Sequence, residues 1–161
     1  MKRAIALAVT AGLFLAVSPT GAQTPARAPV QATPDGAWRF ATEAIGEGCS
    51  LSGDIRFTRT GDKTYSCKFT AVWACERRTP RSVHTEQSCI ATQTGDNVIV
   101  TSKMEKVARV DPTSMLQQMR NDYAADHFSV KINRAGDRMD GLFRSYGQAP
   151  VVFRKQEDLI S

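Results

Sequence analysis

The sequence lacks the short motifs that mark common enzymes. It has no glycine-rich phosphate loop, no H-E-x-x-H and no G-x-S-x-G. Its two histidines, His84 and His127, have only Glu86 and Asp126 nearby in the sequence to assist a general base. Because catalysis needs several convergent groups, these residues do not predict an active site. We expect a protein that is not an enzyme and needs no cofactor.

Metal and redox motifs are missing as well. The four cysteines, at positions 49, 67, 75 and 89, form no C-x-x-C pair, and two histidines are too few for a convincing zinc site. A redox pair is not expected, because the C-x-x-C spacing that lowers a thiol pKa is missing. An even number of cysteines instead predicts two structural disulfides.

No apolar run is long enough to span a bilayer. Residues 4–17 form a run of 14, whereas a membrane-spanning helix needs about 20. Lys2 and Arg3 precede this run, and small residues up to Ala22 follow it. This layout predicts a signal peptide over residues 1–22, cleaved near Ala22, and therefore a periplasmic or secreted protein with no transmembrane segment in the mature chain.

The charge is not extreme either. Without Lys2 and Arg3 the chain keeps 19 basic and 16 acidic residues, a net charge of +3, and it gives no reason to expect a nucleic-acid partner. Residues 23–35 are rich in proline and alanine and predict a flexible linker. A single domain is expected over residues 36–157, followed by a tail at 158–161.

Apolar and polar residues alternate through most of this domain, which predicts antiparallel strands with one wet face. Gly-Asp pairs at 61–62, 95–96 and 136–137 predict type II′ hairpin turns. Asp111, Pro112 and the apolar Met115 and Met119 predict a short helix between strands five and six. Eight strands are expected, at 37–45, 51–59, 64–76, 82–93, 97–103, 127–133, 138–145 and 150–155.

Eight such strands favour an all-β fold, an antiparallel meander forming a closed or half-closed barrel, because closure removes exposed sheet edges. A two-sheet sandwich is the alternative. Gly36-Ala37-Trp38 at the domain start, and the closing segment from Met139-x-Gly141 to Val151-x-Phe153-x-Lys155, resemble the small exported lipocalin-like (calycin-type) barrels of bacteria. This resemblance implies a barrel that binds a ligand inside or at its rim.

The expected hairpins also predict the cysteine pairing. A turn at Gly61-Asp62 places Cys49 opposite Cys75, and the next turn, near Arg78, places Cys67 opposite Cys89. Directly opposed residues lie close enough for a disulfide. We therefore favour Cys49–Cys75 and Cys67–Cys89 among the three connectivities that four cysteines allow.

The expected inner face combines bulky side chains with small ones such as Gly53 and Gly141. Small residues there either make room for large neighbours or leave a cavity for one ligand, which eight strands can hold. Under the second interpretation Met115 and Met119 form a soft lid. The candidate ligand-binding residues are Tyr65, Phe69, Trp73, Gln87, Met115, Met119, Met139 and Phe143.

Arg77, Arg78 and Arg81 are candidates for contact with a partner, because they cluster in the loop after the third strand. The leading hypothesis is an exported binding protein for a small apolar or amphipathic ligand. The alternative is a protein-interaction module, such as an inhibitor of a secreted hydrolase, or a structural protein of the envelope.

Overall fold

The computed structural model describes residues 31–46 and 48–157. The predicted leader (1–22), the linker as far as residue 30 and the predicted tail (158–161) lie outside the described residues.

Each strand pairs antiparallel with the next along the chain, and the last strand pairs with the first. The closed eight-stranded barrel predicted from the alternation is therefore confirmed, and a sandwich is excluded. The elements, in chain order, are β1 (Gly36–Thr42), β2 (Cys49–Arg59), β3 (Thr64–Cys75), β4 (Ser82–Thr94), β5 (Asn97–Asp111), a 3₁₀ turn (Thr113–Met115), α1 (Leu116–Asp122), β6 (His127–Ile132), β7 (Arg138–Arg144) and β8 (Gln148–Lys155).

Phenylalanine rings fill the middle of the barrel. The ring centroid of Phe40 lies 5.1 Å from that of Phe128, 5.3 Å from that of Phe153 and 5.9 Å from that of Phe69. Phe143 lies 5.9 Å from Phe128 on the other side. These edge-on and tilted contacts are the favourable arrangements for aromatic pairs. The centre of the barrel is therefore packed.

Two inward-facing glycines provide the space for this packing. A Cβ atom on Gly53 would lie 2.6 Å from the Phe40 ring, and one on Gly141 would lie 2.6 Å from the Cα atom of Val130. Both distances are far below van der Waals contact. Of the two interpretations of the small inner residues, the structure supports close packing at these positions.

The cysteines pair as the strand register predicted. Cys49 lies directly opposite Cys75 between β2 and β3, and Cys67 lies opposite Cys89 between β3 and β4. Both pairs form disulfides, with Cα–Cα distances of 4.0 and 4.8 Å. All four sulfurs belong to buried residues of the inner face, so β3 is tied covalently to both neighbouring strands.

β5 is longer than the alternation predicted, because it continues to Asp111 instead of ending at 103. Two bulges explain the difference. The β4–β5 register skips Glu105 and Ala108, which have no directly opposed residue. Each bulge shifts the phase of the alternation, so that Val107 and Val110 face inward at a spacing that no period of two predicts.

Three smaller predictions are wrong. β1 ends at Thr42, not 45, because the chain turns away and Ile45 bridges back to Cys49. The turn at Gly136 is not a type II′ hairpin turn, because five residues separate β6 from β7 where that turn has two. The turn at Gly61 is not type II′ either, since Gly61 lacks the positive φ that Gly95 (57°) adopts. Four residues separate β2 from β3 there, and the amides of Thr60 and Gly61 donate to the carbonyl of Thr64.

The barrel has two different ends. At the tether end, where β1 begins and β8 finishes, the indole Nε1 of Trp38 donates to the carbonyl of Pro34 (2.6 Å). Gln93 Nε2 donates to the carbonyl of Ala32 (2.7 Å), and the Tyr65 hydroxyl donates to Gln93 Oε1 (3.1 Å). Residues 31–35 thus close this end, and the contacts of the barrel begin earlier than the predicted domain boundary at Gly36.

Candidate functional site

The opposite end carries α1, and here we find an apolar pocket of about 270 Å³, the mouth pocket. It lies between α1, the β3–β4 loop and the β7–β8 turn. Its walls are mostly aromatic and aliphatic side chains together with the first disulfide. The lining residues are Cys49, Trp73, Cys75, Arg78, Thr79, Pro80, Val83, Met119, Asp122, Tyr123 and Tyr146.

Helix α1 forms one wall because its apolar side chains have a separate small core to cover. Leu116 and Met119, with Met115 just before the helix, pack against Val107 and Val110 of β5. Seven residues are too few for a helix to be stable alone. Packing on β5 therefore holds α1 in place, and Met119 contributes to the pocket.

Trp73 forms the facing wall. It lies opposite Leu51 in β2 and Val83 in β4, near the ends of these strands, and it is only half-buried. Its indole Nε1 donates to the sulfur of Cys75 (2.9 Å). The Cys49–Cys75 disulfide therefore holds one edge of the Trp73 indole in place.

A polar network lies behind the pocket. The carboxylate of Asp126 accepts a hydrogen bond from Gln87 Nε2 (2.5 Å) and one from the Tyr123 hydroxyl (3.3 Å to Oδ2). The amide of Asp126 donates to Gln87 Oε1 (2.9 Å), and Gln87 Nε2 also donates to the hydroxyl of Thr85 (3.1 Å). Asp126 is 0% exposed. Gln87 and Tyr123 thereby connect the barrel wall, the buried carboxylate and the pocket.

Burial dominates the chemistry of this network. It raises the pKa of Asp126 to about 6, although the hydrogen bonds from Gln87 and Tyr123 act in the opposite direction. The pKa of Tyr123 rises strongly, first because the phenol is buried and then because the Asp126 carboxylate is near. Tyr123 therefore stays neutral and acts as a hydrogen-bond donor.

Tyr146, in the β7–β8 turn, holds the segment between α1 and β6 from outside. Its hydroxyl donates to the carbonyl of Asp122 and accepts from the amide of Ala124 (2.7 Å). The hydroxyl of Ser145 donates to the carbonyl of Ala124 (3.1 Å), and the Tyr146 ring packs edge-on against Tyr123. We call these contacts the outer clasp.

The structure separates the predicted ligand-binding residues into three groups. Trp73 and Met119 line the mouth pocket, with Met115 in the small core beside it and Gln87 in the network behind it. Tyr65 lies at the tether end. The remaining three belong to the packed centre: Phe69, Met139 and Phe143.

Sequence reasoning missed three important residues of the site. Tyr146 sits in a turn, 59% exposed, and no pattern distinguishes it from an ordinary surface tyrosine. Asp126 precedes β6 at a position where a polar residue is usually solvated. Tyr123 directly follows α1, and it joins the pocket to Asp126.

The arginines of the β3–β4 loop, Arg77, Arg78 and Arg81, are all exposed. Arg81 anchors the loop base, because its carbonyl accepts from the amide of Cys75 (2.8 Å) and its own amide donates to the carbonyl of Asp111 (2.7 Å). Arg78 lines the mouth pocket and already has an interaction partner. The loop is therefore one wall of the pocket.

Ser102, Asp126 and His127 lie close together, but they do not form a catalytic triad. His127 Nδ1 accepts from the backbone amide of Ser102 (3.0 Å), so the proton of the neutral ring is on Nε2. The Ser102 hydroxyl has no hydrogen-bond partner among the residues that the structure describes, and Asp126 bonds to Gln87 and Tyr123 instead of the imidazole. Nothing in this arrangement indicates catalysis.

Two further kinds of site can be addressed for residues 31–46 and 48–157. No group of three or more potential metal-ligating side chains comes together there. No helix in the same part of the chain has the length and apolar character needed to cross a bilayer.

A larger depression, about 680 Å³, lies on the outer face of β2–β5. Its charged walls already interact with neighbouring side chains. Asp54 pairs with Arg39 (3.0 Å), Glu86 pairs with Lys106 (3.7 Å), and Ser88 donates to Glu105 (2.5 Å). It resembles a solvated sheet face more than a ligand site, so the smaller apolar pocket is the stronger candidate.

The geometry defines a class: a closed, antiparallel eight-stranded barrel with a packed centre and an apolar pocket at one end. Comparison with solved structures agrees with this fold. A redesigned β-barrel, b11L5F_LGL, superposes with a TM-score of 0.50 at 12% identity, covering 77% of this chain and 92% of that one. The redesigned barrel mFAP1, bound to DFHBI, gives 0.48 at 11% identity, covering 76% and 94%.

At 12% identity, the likeness to b11L5F_LGL shows the fold alone. No protein-family model matches the chain, and no curated protein matches it. The barrel expected from the resemblance to lipocalin-like proteins is present, and membership of that family stays a prediction.

Proposed function

We propose that this protein is an exported, non-enzymatic binding barrel that holds one small, mainly apolar molecule in the mouth pocket. The observation that carries the proposal is the pocket itself, where Trp73, Val83 and Met119 face one another across about 270 Å³. Small-molecule sites are typically concave and mostly apolar, with a few placed polar groups. The pocket volume lies just below the range that is usual for small-molecule sites, and it suits a ligand with one or two rings.

The walls support binding because they combine rigid and adaptable parts. The Cys49–Cys75 disulfide fixes the strand ends that carry Trp73. Met119, opposite, has a flexible thioether that repacks easily around ligands of different shape.

Export rests on two observations of different kinds. The sequence begins with the charged, apolar and small-residue segments of a signal peptide. The two disulfides are typical of an oxidising compartment outside the cytoplasm. The two together support a periplasmic or secreted location.

A pocket-filling variant tests the proposal. Wild-type protein should enhance the fluorescence of N-phenyl-1-naphthylamine, a neutral apolar probe, by binding it at the mouth. Met119→Trp should fill the pocket and abolish the enhancement. Ile99→Trp adds the same side chain on the outer face, where Ile99 is 45% exposed, and should bind like the wild type.

Both variants should keep the circular-dichroism spectrum of the barrel. Native mass spectrometry of freshly purified protein would identify a ligand that co-purifies. If Met119→Trp remains folded and binds the probe as the wild type does, the mouth pocket is not the site. If the wild type binds neither the probe nor a co-purifying molecule, the proposed function fails.

A further inference from the structure

The three aromatic residues of the mouth pocket lie close to negative charge. Trp73, Tyr123 and Tyr146 line the pocket, and so does the carboxylate residue Asp122. Asp126 lies directly behind Tyr123, whose hydroxyl bonds to it. The pKa of Tyr146 is raised first by burial, and then by the charges of Asp122 and Asp126. Both carboxylates therefore act electrostatically on the pocket wall.

Among residues 31–46 and 48–157, no basic side chain pairs with Asp126, although a buried carboxylate usually has such a partner. Its hydrogen-bond donors, Gln87 and Tyr123, are both neutral. A charge removed from water is costly unless an opposite charge compensates it. The raised pKa expresses this cost, yet a value of about 6 still leaves the group mostly ionised at pH 7.5.

Arg78 is the basic residue of the pocket lining, and it would favour an anion. Arg78 is exposed in its loop and is not a free cation, because it already has an interaction partner. A charge in contact with solvent is screened far more than one enclosed by protein. The enclosed carboxylate should therefore dominate the potential at the floor of the pocket.

We infer that the ligand is an organic cation, an aromatic or short alkyl ammonium whose apolar body lies against Trp73 and Met119. This inference rests on the proposed function. Its ammonium group points toward the side of the pocket formed by Tyr123 and Asp122, with Asp126 behind. Aromatic faces attract ammonium groups through their quadrupole, and the two carboxylates add a charge attraction that a neutral ligand cannot use.

Three probes of one size test this inference by calorimetry at pH 7.5: 2-phenylethylamine as the cation, 2-phenylethanol as the neutral analogue and phenylacetate as the anion. Their rings are identical, so differences in affinity report on the charge. Wild-type protein should bind the amine about tenfold more tightly than the alcohol and should bind the anion most weakly.

Substitution of the carboxylates separates their contributions. Asp126→Asn should weaken amine binding about tenfold and leave the alcohol unchanged. Asp122→Asn, at an exposed position, should also weaken amine binding. Asp140→Asn is the matched control, because Asp140 lies on the outer face of β7 and pairs with Arg138.

The outcomes distinguish the two proposals. If the alcohol binds as well as the amine, or if neither Asp126→Asn nor Asp122→Asn changes amine affinity, the cationic ligand class is overturned while the binding barrel stands. Preferential binding of phenylacetate would overturn it in favour of Arg78. If no probe binds, including N-phenyl-1-naphthylamine, and no molecule co-purifies, the proposed function fails and this inference fails with it.

Discussion

The carboxyl group of Asp126 is enclosed by the barrel, yet within the described part of the chain its hydrogen-bond donors, Gln87 and Tyr123, are neutral. A group of this kind links protein stability to pH. Burial favours the protonated form in the folded state, so the folded pKa of about 6 lies above the ordinary value near 4. The neutral acid therefore stabilises the fold relative to the unfolded chain.

The sign of the pH dependence follows from this shift. The stabilisation by neutral Asp126 is complete below about pH 4 and is lost as the pH rises through about 6. We expect this residue to lower the free energy of unfolding by on the order of 3 kcal/mol between pH 4 and pH 7. In urea titrations, the stability difference between Asp126→Asn and the wild type should grow over this interval in favour of the variant.

Asp140→Asn is again the control. The hydrogen bond from Arg138 lowers the pKa of Asp140, so its contribution changes only below about pH 4. The stability difference between this variant and the wild type should be flat from pH 4 to pH 7. A flat difference for Asp126→Asn as well would show that the carboxyl group is hydrated in solution.

At the scale of elements, the segment that includes α1 and residues 123–126 is held from two sides. The network of Gln87, Tyr123 and Asp126 holds it from inside, and the outer clasp of Ser145 and Tyr146 holds it from outside. Because α1 is short and lies at the end of the barrel, this segment should open more readily than the strands.

A pair of Tyr→Phe variants at opposite ends tests the clasp. Tyr146→Phe removes the hydroxyl that bonds to Asp122 and Ala124, so the amides of residues 120–126 should exchange hydrogen several-fold faster. Tyr65→Phe removes the hydroxyl bonded to Gln93 at the tether end, and it should leave that exchange unchanged. Hydrogen exchange followed by mass spectrometry measures both. Equal exchange in the two variants would mean that the clasp does not hold the segment.

Strand alternation is what made the fold predictable. It located the eight strands, and the register around the first two hairpins then placed Cys49 opposite Cys75 and Cys67 opposite Cys89. It failed where the period of two is interrupted, at the bulges of Glu105 and Ala108 in β5. A bulge depends on the fit of two strands, which a single sequence does not display.

The site was less predictable, for a related reason. Trp73 and Met119 were found because large apolar residues near the ends of elements are conspicuous. Tyr146 and the segment that carries Asp126 lie just beyond the paired ends of β6 and β7, where His127 is opposite Arg144, so no strand register predicts the contact of Tyr146 with Ala124. Residues 31–35 likewise have a linker composition, and they are ordered by Trp38 and Gln93 rather than by any pattern of their own.

At the scale of the whole molecule, the disulfides should contribute similarly to stability and differently to binding. They join residues 26 and 22 positions apart, so each closes a loop of nearly the same size. From loop entropy, removing either should lower the free energy of unfolding by about 3 kcal/mol. Only Cys49–Cys75 lines the mouth pocket.

Two double variants separate these effects. Cys49→Ala/Cys75→Ala should lose both stability and probe affinity, whereas Cys67→Ala/Cys89→Ala should lose stability and keep the affinity. Guanidinium unfolding and titration with N-phenyl-1-naphthylamine measure the two properties below the unfolding transition. An equal loss of affinity in both variants would indicate that the pocket responds to general loosening of the barrel.

The two ends of the barrel also differ in a way that matters for handling the molecule. β1 begins and β8 finishes at the tether end, and the mouth pocket lies at the opposite end. A reporter dye, a solid support or a fusion partner joined through either flank of the domain would therefore leave the mouth facing outward. The fold is thus suited to an immobilised sensor, in which the attachment point and the sensing surface are separated by the full height of the barrel.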